Sequence, residues 1–134
     1  MPCPNERRLA HATIRQGKFV LKTRKENKMI TLCIRYTIDQ NQYRNFEEYA
    51  RSLPEPIRRC GGDLMGYFLP TKLAGPTNTA LALINFSNLD AYEKYREAFA
   101  ADPAAAANVA VIEKSGAILC EDRSFLRHVG DVWD

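Results

Sequence analysis

The 134-residue sequence lacks several features that would point directly to a function. No apolar run approaches the 18 residues typical of a transmembrane helix, so we predict no membrane span. The first residues contain no apolar stretch of the kind found in secretory signals. Only two histidines, His11 and His128, are present. Two are too few for a convincing metal site within one chain, so we expect no metal.

The cysteines also argue against a disulfide framework. Cys3, Cys33, Cys60 and Cys120 lie far apart and form no CxxC pair. Cys33 and Cys120 fall among aliphatic residues in predicted strands. We interpret all four as reduced thiols, which predicts a cytoplasmic protein.

The positive charge is concentrated at one end of the chain. Residues 1–28 hold eight Lys and Arg residues and two acidic residues, which gives a net charge of +6. The whole chain carries +3, so residues 29–134 carry −3. A nucleic-acid-binding protein would place basic residues on a folded face with aromatic residues between them. We therefore predict no nucleic-acid partner, and we interpret residues 1–28 as a basic, poorly ordered extension.

No common catalytic or cofactor motif is present. The two histidines do not support a Ser-His-Asp set. The glycines of Gly61-Gly62-x-x-x-Gly66 precede a predicted strand rather than a helix, which argues against a phosphate-binding loop. These absences exclude most hydrolases, kinases and nicotinamide enzymes, and we expect no cofactor.

Hydrophobic periodicity nevertheless predicts the fold. The pattern indicates strands at 29–38, 64–69, 79–86 and 117–127, with helices after the first and third strands. The order β-α-β-β-α-β predicts an α+β, ferredoxin-like domain over 29–128, followed by a short tail at 129–134. The third strand is apolar on both faces, whereas the helices cover only one face of the sheet. A second copy packed sheet to sheet would cover the other face, which predicts a homodimer, a dimeric α+β barrel, with a cavity between the sheets.

Five segments carry a family resemblance: 29–39, 61–70, 81–86, 91–96 and 121–126. They read MITLCIRYTID, GGDLMGYFLP, LALINF, AYEKYR and EDRSFL. Together, and in this order, they resemble a short bacterial member of the NIPSNAP family. The resemblance implies the same dimeric α+β barrel and implies no established reaction.

Two strands supply charged candidates for a binding site. Arg35, in the middle of the first strand, is able to bind a ligand carboxylate or to pair with Glu121 or Asp122 on a neighbouring strand. Asp122 and Arg123 are adjacent in the fourth strand, so alternation places them on opposite faces of the sheet. One of them is expected on the open face, either orienting a ligand or making a structural pair.

Tyr67 and Asn85 are the uncharged candidates. Tyr67 follows Gly66 in the second strand, where it would contact a ligand, act as a general acid, or lie at an interface. Asn85, near the end of the third strand, would bind a polar ligand atom or cap the following turn. The sequence does not decide between these roles.

Three functions remain open from the sequence. The first is a homodimeric domain that binds a small molecule or a partner in the inter-sheet cavity. The second is a cofactor-independent monooxygenase or isomerase acting there. The third is a purely structural interaction module, which is favoured if the binding pocket itself is absent.

Overall fold

A computed structural model of the chain describes residues 29–129. The predictions for 1–28 and for the end of the tail lie outside the described residues. The strands are β1 (Ile30–Ile38), β2 (Asp63–Phe68), β3 (Thr79–Phe86) and β4 (Ile118–Leu126). The helices are α1 (Tyr43–Ser52), α2 (Pro54–Arg59), α3 (Leu89–Ala101) and α4 (Pro103–Ser115), with a 3₁₀ turn at Gln40–Gln42 before α1.

The four strands form one antiparallel sheet in the order β2-β3-β1-β4. The connection from β1 to β2 passes over β3, and the connection from β3 to β4 passes over β1. This is the ferredoxin-like arrangement found in protomers of the dimeric α+β barrel type. The predicted fold class is therefore confirmed.

Alternation along β1 and β3 gives the sheet two different faces. The helix-facing side of β1 is almost fully buried and consists of Leu32, Ile34, Tyr36 and Ile38. On β3 the same side consists of Ala80, Ala82, Ile84 and Phe86, also buried. These residues pack against the helices in one core. The opposite side, which we call the open face, is covered by none of the described helices.

Local sequence signals determine where the helices begin and end. The Asn88 side chain accepts a hydrogen bond from the Ala91 N–H and caps α3, and Asp102 caps α4 in the same way through Ala105. Pro103 occupies the first turn of α4, where its missing N–H costs nothing. Gly116 ends α4 in the left-handed conformation at φ 73°. Pro54 starts a separate short helix, because a proline lacks the N–H that would continue the preceding helix.

Two β-bulges change which side chains face the helices. In β2, Leu64 pairs with Ile84 but Gly66 pairs with Leu83, so Met65 is an extra residue. Gly66 has φ 153°, a conformation that favours glycine. In β4, Ile118 pairs with Ile38 but Cys120 pairs with Thr37, so Leu119 is extra. After each bulge the alternation is reversed, which places Tyr67 and Arg123 on the helix-facing side of the sheet.

The cysteines only partly match the expectation of reduced thiols. Cys33 and Cys60 are free. Cys120 is disulfide-bonded, so the expectation is wrong for this residue. The expectation for Cys3 lies outside the described residues. Among the helices of residues 29–129, none is long and apolar enough to cross a membrane.

Candidate functional site

A cavity of about 470 Å³ lies between the helix-facing side of the sheet and the helices. We call it the helix-side cavity. All four strands and helices α1 to α3 contribute to its wall, so it depends on the whole domain. Its apolar lining includes Leu32, Ile34, Leu53, Ile57, Ile84, Phe99 and Ala100, and its polar lining consists of Tyr36, Tyr49, Tyr67, Tyr92, Tyr95, Arg96 and Arg123.

The tyrosines of β1 and β2 meet inside this cavity. The hydroxyl oxygens of Tyr36 and Tyr67 are 3.4 Å apart, and their rings stack with centroids 6.1 Å apart. Tyr49 of α1 packs edge-on against Tyr67 at 6.4 Å. Tyr36 is 2% exposed, so its hydroxyl depends on this neighbour or on a cavity occupant for hydrogen bonding. Three phenol groups from three elements therefore converge at one end of the cavity.

A second aromatic group forms the other end. Tyr92 packs edge-on against Phe86 at 5.3 Å and against Phe125 at 5.0 Å. Tyr95 packs against Phe86 at 5.0 Å and Phe99 at 5.5 Å. These contacts pack α3 against β3 and β4, and Tyr92, Tyr95 and Phe99 of this group line the cavity.

Tyr36, Tyr49 and Tyr67 keep their protons well into the alkaline range. Burial raises the pKa of Tyr67 to about 12, although the hydrogen bond to Tyr36 acts in the opposite direction. Burial is also the largest cause that raises the pKa of Tyr36 and of Tyr49 well above the ordinary tyrosine value. At neutral pH these phenols are hydrogen-bond donors rather than bases.

Arg123 is held in the cavity by Glu121, two residues earlier on the same side of β4. Its Nη2 lies 2.7 Å and its Nε 2.9 Å from Oε2 of Glu121. The Arg123 side chain is 44% exposed, and its partial burial by itself lowers its pKa, but the Glu121 carboxylate outweighs this effect, so the pKa is raised overall. The guanidinium is therefore permanently charged and fixed in position.

This arrangement binds and orients better than it transfers protons. The phenols stay protonated, and the nearest carboxylate, that of Glu121, is engaged by Arg123. A general base with a free carboxylate or imidazole does not line the cavity among the described residues. Within 29–129 no three His, Cys, Asp or Glu side chains are grouped to hold a metal ion. The chemistry offered is hydrogen-bond donation and positive charge beside an apolar wall.

The five candidate residues from the sequence fall on two sides of the sheet. Tyr67 and Arg123 line the helix-side cavity. Arg35 and Asp122 are paired across β1 and β4 on the open face, but no hydrogen bond or ion pair joins them in the described part of the chain. Asn85 is also on the open face, where its Oδ1 accepts a hydrogen bond from Thr31 at 2.6 Å, with both residues buried.

Sequence reasoning missed several residues of the helix-side cavity. The candidates from the sequence did not include Tyr36, Tyr49 or Arg96. Tyr92 and Tyr95 were not among them either, although both pack in the core and line the cavity. One signal was available, because a tyrosine in the middle of an otherwise aliphatic face carries a hydroxyl that needs a partner.

A larger surface depression of about 570 Å³ lies beside the β2–β3 connection. Its lining includes Gln40, Tyr43 and Lys72, together with Pro70, Thr71 and Thr77. All six are at least partly exposed, and the depression receives no side chain from the middle of the sheet. We therefore favour the helix-side cavity, whose tyrosines and arginines come from five elements and include the buried Tyr36 and Tyr95.

Comparison with known proteins places the fold. The chain is 22% identical to an uncharacterised NIPSNAP-like domain protein from Burkholderia xenovorans, with a TM-score of 0.64 over 78% of this chain and 88% of that one. It is 20% identical to a NIPSNAP family protein of unknown function from Agrobacterium tumefaciens, with a TM-score of 0.67 over 77% and 90%. SnoaB, a cofactor-independent oxygenase from Streptomyces nogalater, is 12% identical, with a TM-score of 0.56 over 78% and 97%.

The structural similarities are all below 25% identity and establish the fold alone. No curated protein matches the chain. The NIPSNAP family model matches residues 31–131, which is more than half of the sequence. This range covers nearly all of the strands and helices described above, and the chain therefore belongs to the NIPSNAP family.

Proposed function

We propose that this NIPSNAP-family protein binds a small organic molecule in the helix-side cavity. The observation that carries the proposal is the convergence of Tyr36, Tyr67 and Arg123 on one cavity of about 470 Å³. Two β-bulges are needed to bring Tyr67 and Arg123 there. Bulges that redirect side chains are typical of binding and active sites. A volume in this range suits a ligand of drug-like size.

The location differs from the inter-sheet cavity expected from the sequence. That cavity would require a second copy, and it remains a prediction. Tyr67 and Arg123 support the helix-side location because both lie on that side of the sheet.

Native mass spectrometry of the purified protein tests the proposal. We expect a bound small molecule that is lost when the cavity is blocked by Ala100→Trp. Ala100 is exposed at the cavity wall, so a larger side chain is accommodated without disturbing the core. Ala98→Trp, on the exposed surface of the same helix outside the cavity lining, is the matched control. Equal ligand retention in the two variants would contradict the proposal.

Cofactor-independent oxygenation is the second candidate. Hydrogen-bond donors and a fixed guanidinium are suited to stabilise an oxyanion of a bound phenol or enol. The fold shared with SnoaB is compatible with such chemistry. The absence of a free base from the described cavity lining makes binding the first choice. Oxygen consumption with an electron-rich polyphenol, lost in Ala100→Trp and kept in Ala98→Trp, would favour the oxygenase.

We also infer that the protein is a homodimer that packs through the open face. Apolar side chains occupy this face, including Leu81, Leu83, Leu126 and Phe68, and the last two are 46% and 49% exposed. Light scattering at micromolar concentration is expected to give twice the chain mass. Leu83→Glu should give a monomer, whereas Leu73→Glu in the exposed loop should not. A monomeric wild-type protein would contradict this inference. A cytoplasmic location without a nucleic-acid partner remains our prediction.

A further inference from the structure

We infer that the ligand of the helix-side cavity is an organic anion with an apolar body. This inference rests on the proposed function and adds the charge of the ligand. The described cavity lining contains two arginines, Arg96 and Arg123, and no Asp or Glu. A cavity with this lining is electropositive, and the charge faces a wall in which apolar and polar residues are equally numerous.

Arg123 retains hydrogen-bond donors for a ligand despite its pairing with Glu121. A guanidinium has five N–H donors. The contacts with Glu121 use Nε and Nη2, and both reach the same oxygen, Oε2. Nη1 makes no hydrogen bond within residues 29–129. Glu121 therefore orients the guanidinium and leaves one of its edges available to a carboxylate, sulfonate or phenolate.

Arg96 supplies the uncompensated charge. It lies in the cavity wall on α3, where it is also exposed to solvent, and it makes no ion pair with any described residue. With Glu121 balancing Arg123, Arg96 leaves a net charge of about +1 for a monoanionic ligand. The phenols add neutral donors, because Tyr67 remains protonated to a pH of about 12. Hydrogen-bond donors and the positive charge of the two arginines stabilise an anion more than its conjugate acid.

A matched pair of fluorescent probes tests the charge separately from binding itself. 8-Anilinonaphthalene-1-sulfonate is anionic, and N-phenyl-1-naphthylamine has the same rings without the sulfonate. The quantity measured is the ratio of their dissociation constants, which cancels differences in cavity shape. We expect Arg96→Gln to reduce the preference for the sulfonate probe about 10-fold. Arg96→Lys should restore most of it.

Two further variants separate a specific effect from misfolding. Glu121→Gln combined with Arg123→Gln removes the oriented guanidinium without leaving a lone carboxylate, and it should also reduce the sulfonate preference. Arg44→Gln, on the exposed surface of α1, makes the same charge change outside the cavity lining and should leave the ratio unchanged. Circular dichroism confirms that each variant is folded.

The outcomes test the organic-anion inference separately from the proposed binding function. Loss of sulfonate preference in the Arg96 and Arg123 variants, but not in Arg44→Gln, supports the organic-anion inference. An equal change of the sulfonate preference in all arginine variants, or no change in any of them, overturns the organic-anion inference. In that case, loss of probe binding in Ala100→Trp would still support binding in the cavity. If Ala100→Trp leaves both probes bound, the proposed function fails together with the inference.

Discussion

Gly62 packs so closely against the cavity wall that replacing it by alanine should change both stability and binding. A Cβ at this position would lie 2.9 Å from Cγ2 of Ile57, 3.0 Å from Cγ2 of Ile84 and 3.1 Å from Cε1 of Tyr95. These three residues belong to α2, β3 and α3, and all line the helix-side cavity. The new methyl group would therefore push the wall towards the cavity.

The expected cost follows from two opposing effects. Overpacking a core typically costs about 1–3 kcal/mol. Alanine also restricts the unfolded chain, which offsets about 0.4–1 kcal/mol. We therefore expect Gly62→Ala to lower the free energy of unfolding by about 1–2 kcal/mol, which lowers the melting temperature by about 5–15 °C for a domain of this size. Chemical denaturation followed by circular dichroism measures the change in free energy directly.

Gly61→Ala is the matched control at the same junction. Gly61 has φ 108°, and a Cβ added to it would have no atom within 4 Å, so alanine there meets backbone strain without steric contact. Gly61→Ala should therefore also lower the free energy of unfolding by about 1–2 kcal/mol. The two variants should differ in the cavity, because only Gly62→Ala displaces its wall and weakens probe binding. An unchanged stability for Gly62→Ala, or the same probe affinity in both variants, would refute the packing argument.

Three other outcomes can be measured by denaturation. The folded protein holds the Tyr67 proton to a pH of about 12, whereas an unfolded tyrosine loses it at about 10, so about 2–3 kcal/mol of stability is fully present below pH 10 and lost as pH rises through 12. Tyr67→Phe should remove this loss and leave the alkaline loss that Tyr36 and Tyr49 cause. Thr31→Val should cost about 1–3 kcal/mol because it leaves the buried Asn85 carbonyl unsatisfied, whereas Thr31→Ser should cost less. Asp102→Ala should lower the free energy of unfolding by about 1–2 kcal/mol, because the N-cap of α4 is lost. Asp102→Asn should lower it less, because asparagine keeps the cap and only the ion pair with Arg59 is lost. Equal losses within either pair of variants would contradict the corresponding role.

The sequence predicted the elements well because their signals are local. The third strand was predicted with the observed bounds, and Asn88, Asp102-Pro103 and Gly116 begin or end helices through local geometry. These residues act through their own backbone geometry and capping hydrogen bonds, so no distant contact is needed to identify them. Chain order then limits the topology to the ferredoxin-like plan.

The candidate site was less predictable because it depends on side-chain direction. Strict alternation from Leu64 would place Tyr67 on the open face, and strict alternation from Ile118 would place Arg123 there. The extra residues Met65 and Leu119 reverse the alternation in their strands, so both side chains lie on the helix-facing side instead. The ion pair also differs from the expectation. Arg123 pairs with Glu121 on its own strand, whereas Arg35 makes no ion pair with Glu121 or Asp122.

The sequence by itself therefore determined the family, the order of elements and the apolar face of each regular strand. Only the tertiary structure decided which polar residues share a cavity. The physical reason is that a strand has a period of two, so one extra residue reverses every later side chain without changing the local pattern. Strand pairing determines where that residue lies, and here it brings Tyr67 and Arg123 to the same side of the sheet.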